Sequence, residues 1–359
     1  MGLLDIQAGA GIYQQICDQG LSASDVSAVI GASGAAKWLS IYGLDRAIFS
    51  QWLPTAEQRI MLFGTSVGAF KLAAACRRDA GSALDALADT YIEQSYPDGA
   101  SRDAIAAELQ RILDASLGQG AEEILQHPKF YYHCGAVRAR GLLASGARLP
   151  QQLAMAQAFL STPIGRSSHR LSMQRTVFRD PRCPQRLPGR DGFPSIEVDL
   201  NADNVMAAIT ASGSIPVMMY GQQNIPGAPQ GWYFDGGLLD YHPVPDNIYP
   251  SEGVVLYPHF YPQVKEGWFD KFYRWRNASP EQLSNVLLLS PSAEFWASTR
   301  LGRVPDRRDF RRFANNDAER IDLWREVADK THELGETFLE LVSSGDIRQT
   351  VRPMGTVAS

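Results

Sequence analysis

The sequence predicts an α/β protein with a central, mostly parallel sheet flanked by helices, on three observations. The apolar run Val26-Ser27-Ala28-Val29-Ile30 stops at the small residues Gly31-Ala32-Ser33-Gly34, and Trp38, Ile41, Tyr42, Asp45 and Phe49 then recur at three- and four-residue spacing. The same grammar returns at once, with Ile60-Met61-Leu62-Phe63 as a strand, Gly64-Thr65-Ser66-Val67-Gly68 as a tight turn, and a helical pattern from Ala69 to Arg78. Two strand–turn–helix units in succession imply parallel strands joined by crossover helices. Third, the short apolar runs Val254-Val255-Leu256-Tyr257 and Val286-Leu287-Leu288-Leu289 read as further buried strands.

The remaining elements follow in order. From Ser82 to Gln126 the pattern is helical and polar, which suits helices packed on the sheet or a partial lid. Residues 129–133 and 175–179 are expected as strands, and the prolines Pro181, Pro184 and Pro188 with Gly189 mark a loop. Ile196-Glu197-Val198-Asp199-Leu200 alternates as a strand, and residues 201–211 form a helix. Tyr233-Phe234 lead into Asp235-Gly236-Gly237, and 318–342 is one amphipathic helix with Ile321, Trp324, Val327 and Leu334 on its apolar side. The main core is expected over residues 20–260, with 261–359 as an extension packed on the same core.

Composition narrows the function classes. The chain has 359 residues, 45% hydrophobic and 20% charged, an ordinary globular balance. Its 34 Lys and Arg against 39 Asp and Glu give −5, which argues against a nucleic-acid partner. No apolar run reaches the ~20 residues that cross a bilayer. Acidic Asp5 and Asp18 stand where an export signal carries positive charge, and Gly2 is followed by Ile6 where a myristoylation signal needs Ser or Thr. The four cysteines, Cys17, Cys76, Cys134 and Cys183, lie far apart, as free thiols in a reducing compartment do. A cytoplasmic protein is expected, and its oligomeric state stays open.

Three segments carry chemistry. In Gly64-x-Ser66-x-Gly68 the serine sits on a strand-to-helix turn, where bulky side chains two residues to either side would clash with the strand and helix. The turn exposes the hydroxyl at a helix N-terminus, whose partial positive charge favours an alkoxide or oxyanion. The run Gly31-Ala32-Ser33-Gly34-Ala35-Ala36-Lys37 leaves backbone N–H groups bare for an anion or oxyanion, or is an ordinary βα turn. Asp235 follows a strand about 170 residues after Ser66, far enough to return across the sheet with a carboxylate.

In this order, these segments resemble the patatin-like phospholipases, whose pattern is a glycine-rich oxyanion loop, G-x-S-x-G, then D-G-G or D-G-A. Residues 207–216, Ala-Ala-Ile-Thr-Ala-Ser-Gly-Ser-Ile-Pro, are similar to a fourth family block, and Leu238-Leu239-Asp240-Tyr241-His242-Pro243-Val244 continues the Asp turn in the family manner. The resemblance covers about residues 25 to 257. It implies a patatin-like three-layer fold and a serine lipid acyl hydrolase needing no metal or cofactor. Ser66 would be the nucleophile and Asp235 the base, with the N–H groups of Gly34, Ala35 and Val67 as the oxyanion hole. The motif glycines would be Gly64, Gly68, Gly236 and Gly237. Two alternatives stay open: a carboxylesterase or thioesterase for smaller acyl groups, and a catalytically weak lipid- or protein-binding module.

The sequence departs from the family where the three-glycine loop is reduced to Gly34 followed by Ala35 and Ala36, and Trp38 stands where a glycine is usual. Trp38 is expected to narrow the acyl site. His127, His169 and His332 are expected as surface or packing residues, and His133 lies on a strand. His242 and His259 alone could complete a Ser–Asp–His order. Finally, Arg300 to Arg312 holds six arginines and two aspartates. It is either a solvated loop paired with the acidic terminal helix or a peripheral contact to anionic headgroups, helped by Phe310 and Trp296.

Overall fold

The computed structural model describes residues 2–355 apart from 98, 187–190, 246–252, 274 and 315. Pro188 and Gly189, part of the expected loop, lie outside the described residues. Among the described residues, eleven strands form one sheet: β1 (Leu4–Ala8), β2 (Val26–Gly31), β3 (Ile60–Thr65), β4 (Phe130–Ala139), β5 (Met173–Arg179), β6 (Ser195–Asp199), β7 (Gln222–Gln223), β8 (Trp232–Asp235), β9 (Val254–Pro258), β10 (Val286–Pro291) and β11 (Arg352–Pro353). The order is β11-β1-β10-β9-β2-β3-β4-β5-β6, with β8 paired to β4 and β7 to β8. From β10 to β4 every neighbour is parallel. The α/β class with a mostly parallel sheet is therefore the one observed.

Side chains alternate between two faces, as strand geometry requires. Ile60, Leu62, Val254, Leu256 and Leu287 point into a core shared with the helices Val67–Ala75, Ala80–Ile92 and Asp317–Ser344. Met61, Phe63, Val255, Tyr257 and Leu288 point the other way, under Val244, Phe260, Val264 and Leu283. At the far end of β4 that second face is covered by the helix Arg148–Ser161. Helices, sheet, and a mixed third layer result.

The chain beyond 261 adds β10 and β11 to this sheet, and β1, outside the expected 20–260 core, lies between them. The long terminal helix runs Asp317–Ser344 and buries Trp324, Val327 and Leu334, while Ile321 stays half-buried. It crosses the helix Tyr42–Ala47, where Thr331 Oγ1 accepts the N–H of Gly43 at 2.7 Å. No helix among the described residues is long and apolar enough to cross a membrane.

Candidate active site

The register of β4 explains how two distant residues meet. One edge of β4 pairs with β5 over Cys134 to Ala139. The other edge pairs first with β3, ending at Thr65 opposite Gly135, and then with β8, whose Asp235 lies opposite Ala136. β3 and β8 thus run head to head in one lane of the sheet. Ser66 caps one strand and Asp235 ends the other. Ser66 Oγ donates to Asp235 Oδ2 at 2.8 Å across 169 residues of chain.

The elbow is built as the motif demands. Ser66 has φ 54° and ψ −131°, left-handed backbone that a non-glycine residue holds only under constraint. A Cβ on Gly64 would come within 2.5 Å of the Gly68 backbone, so the helix Val67–Ala75 packs directly on its own strand. The constraint is Ser212. Its hydroxyl and its carbonyl both accept the Ser66 N–H, at 3.0 and 3.1 Å, and the hydroxyl in turn donates to the Gly135 carbonyl at 2.6 Å. Asp235 is fixed from the same block, its N–H donating to the Ser214 carbonyl at 2.8 Å. Residues 207–216 therefore buttress both halves of the pair, a role the sequence does not reveal.

Asp235 is almost fully buried, and its carboxylate takes only the Ser66 hydroxyl and the Gly237 N–H, the latter at 2.7 Å. No cation touches it among the described residues. Burial pushes its carboxyl up to about 6, opposed by those two hydrogen bonds and weakly by Arg307. Gly236 and Gly237 leave room where a Cβ would strike the Gly135 backbone and the Ser33 hydroxyl.

A cavity of about 530 Å³ opens on Ser66 and Asp235 and is lined also by Gly34 and Ala35. Ala35 has φ 53° and begins a helical turn, as Val67 begins the elbow helix. First-turn N–H groups lack helical acceptors, and Gly34 and Ala35, at the start of this turn, line the cavity. Val67 is buried at the start of its helix and does not line it. A larger groove of about 1010 Å³ runs beside β1, but its serines Ser279 and Ser292 are engaged in local turns and caps. Among the described residues no group of His, Cys, Asp and Glu is arranged to hold a metal ion. The described structure leaves all four cysteines free.

Several expectations need correction. Trp38 does not narrow the cavity: it is buried in the helical core, where its indole N–H donates to Asp45 Oδ2 at 2.8 Å. A large ring with one polar atom goes where an acceptor waits. Asp45 is held as well by Lys71, whose ammonium lies 3.0 and 2.8 Å from the two carboxylate oxygens. His242 and His259 form no triad. They are buried and packed edge to face on each other, and their Nδ1 atoms accept the N–H groups of Lys265 and Tyr261. Burial holds His259 down at about 3 and His242 well below its usual range, so both stay neutral.

The arginine cluster divides. Arg300 pairs with Asp322 of the terminal helix, and Arg303 and Arg312 pair with buried Asp309. Arg307, Arg308 and Arg311 instead line the cavity with Lys37 and Lys271. Lys271 lies 3.7 Å from the Trp268 ring, and burial together with Lys37 and Arg307 lowers its ammonium to about 7. Besides Ser66 and Ala35, the cavity wall holds Val217 at positive φ, 70°. Gln151 accepts its N–H at 3.1 Å, and Arg102 donates to its carbonyl at 2.9 Å.

No family model matches the chain, and no curated protein matches its sequence significantly.

Proposed function

We propose that the protein is a serine acyl hydrolase of the patatin-like type, acting on acyl esters of lipids through a Ser66–Asp235 dyad. The observation that carries this reading is the 2.8 Å hydrogen bond from the Ser66 hydroxyl to a buried carboxylate that lacks any cationic partner among the described residues. A carboxylate near its ordinary pKa of ~3.9 is a poor base, and one raised toward 6 accepts a proton far more readily at neutral pH. The resemblance of the four sequence blocks to the patatin-like phospholipases supports the same roles.

In this reading Ser66 Oγ attacks the ester carbonyl while its proton passes to Asp235 Oδ2. The N–H groups of Gly34 and Ala35 receive the developing oxyanion. The tetrahedral intermediate expels the alcohol, which leaves with the proton held by Asp235, and an acyl-Ser66 ester remains. Asp235 then takes a proton from water as the hydroxide attacks the acyl group. Collapse breaks the Ser66 ester bond, returns the proton to Ser66 Oγ and releases the fatty acid. The histidines take no part.

The test is hydrolysis of a series of acyl esters of rising chain length by the native protein and by Ser66→Ala. Turnover of long-chain esters that vanishes in the variant supports the reading. Turnover confined to the shortest esters points to a small-substrate esterase, and turnover that survives in Ser66→Ala removes the dyad.

A further inference from the structure

We propose that the surface built around the helix Arg148–Ser161 docks on a lipid surface carrying anionic headgroups, and that this sets the mouth of the Ser66 cavity against the lipid. The inference rests on the acyl-lipid reading for the purpose of docking, and on a separate observation for its place. The exposed large apolar side chains among the described residues all fall in three segments, 142–171, 218–220 and 272–275.

The helix is inside out. Its buried residues are Gln151, Ala154 and Ala158, while Leu149, Leu153 and Leu160 face solvent at helical spacing. Ile164 just beyond it is 88% exposed, Leu160 73% and Trp275 76%. Scattered apolar residues on a surface need no explanation, but a helix that turns all three of its leucines outward and buries Gln151 does. The segments also touch. Phe159 packs edge-on against Phe272 at 5.3 Å, and Phe272 against Trp268 at 5.7 Å.

Three features choose a lipid surface as occupant. The first is continuity with the site. Met155 of the helix, Met218 and Trp268 line the cavity that holds Ser66, so the apolar surface runs into it. Gln151, on the inner side of the same helix, holds the strained Val217 in the cavity wall. A protein partner seated here would cover the cavity mouth, whereas a lipid surface there delivers the substrate.

The second is charge. Residues 124–179 contain eight Lys and Arg and no Asp or Glu, in a chain whose net charge is −5. Some of these cations are tied inside the fold, Arg175 to Asp191 and Asp240 for example, but Arg148 and Arg170 are exposed. Arg307, Arg308 and Arg311 at the cavity continue the positive rim. Apolar side chains ringed by cations match a bilayer interface with anionic headgroups. The third is symmetry. A second copy docked through the same face would set these cations against their own equivalents.

The test measures binding with hydrolysis removed. Ser66→Ala protein is floated with phosphatidylcholine vesicles, with and without phosphatidylglycerol, at low and high salt. The same is done with Leu153→Asp and Ile164→Asp added, both exposed positions, with circular dichroism to check the fold. The expected result is binding that needs phosphatidylglycerol, weakens as salt rises, and falls roughly tenfold or more in the Asp variants. A protein that binds this way yet hydrolyses no ester keeps the docking face and loses the reading of the site. Three results overturn the proposal: no vesicle binding, undiminished binding by the Asp variants, or a dimer in light scattering that the Asp variants dissolve.

Discussion

Two buried aspartates lie near the elbow helix and are treated in opposite ways. Asp45 faces the ammonium of Lys71 and the indole of Trp38, so both its oxygens are met by strong donors. Asp235 has a serine hydroxyl and one backbone N–H. A buried carboxylate with a full counter-charge is a fixture of the fold, because removing either partner strands a charge. A buried carboxylate without one holds its negative charge poorly and takes up a proton when offered. The same residue type thus serves as a structural anion in one place and as a candidate base in the other.

The largest expected effect falls on the second aspartate. Ser66→Ala and Asp235→Asn should each lower kcat/KM for an acyl ester by about 10³-fold or more, since the acyl-enzyme route loses its nucleophile or its proton acceptor. Steady-state kinetics on purified variants measures this, and a loss under tenfold in Asp235→Asn breaks the contrast with Asp45.

The first aspartate should show the mirror image. Lys71→Met leaves Asp45 buried and unpaired, so unfolding free energy should drop by about 3–5 kcal/mol in denaturant titrations. Adding Asp45→Asn should recover much of that loss. A single variant as stable as the native protein would mean that Asp45 is not held by charge.

A smaller effect is expected in stability alone, since burial raises the carboxyl of both aspartates. The folded pKa of Asp235 lies above its unfolded value, so between about pH 4 and 6 the native state binds more protons than the unfolded state. This contribution is present in full below the unfolded pKa and is lost as pH rises through about 6. From the span between 3.8 and about 6, at 1.36 kcal/mol per unit, it amounts to about 3 kcal/mol. Asp235→Asn removes the ionisation, so above pH 7 the inactive variant should melt no lower than the native protein. A clearly lower melting temperature would show that the carboxylate stabilises the fold.

The smallest effect is expected at the paired buried histidines. His259→Gln should keep kcat/KM within about tenfold, a change of ~1.4 kcal/mol or less in transition-state stabilisation. A far larger loss with the fold intact would put a histidine into the proton transfer.

What the sequence disclosed and what it withheld divide along the range of the interactions. The α/β class and the places of Ser66 and Asp235 are legible because each rests on a short local pattern: an apolar run, a small-residue turn, a helical period. The lane shared by β3 and β8 is not, because it depends on β4 running on past the end of β3, a matter of pairing across the sheet. Ser212 looks like one serine among many until its hydroxyl is seen to hold the elbow. Trp38 misleads because it follows the small-residue run from Gly31 to Ala36, while the acceptor for its indole comes seven residues later at Asp45. The arginines from 300 to 312 read as one patch, yet buried Asp309 draws two of them inward and the cavity claims three others.

The proposed dyad requires Asp235 to activate Ser66, and the most direct measurement is the pH dependence of Ser66 labelling by a fluorophosphonate probe, with the site located by peptide mass. Native protein should label on Ser66 at a rate that climbs with pH and levels off above an inflection near 6, where Asp235 becomes ionised. Asp235→Asn should label hardly at all at any pH. Label on a different serine, or an Asp235→Asn protein that labels at the native rate, would contradict the account.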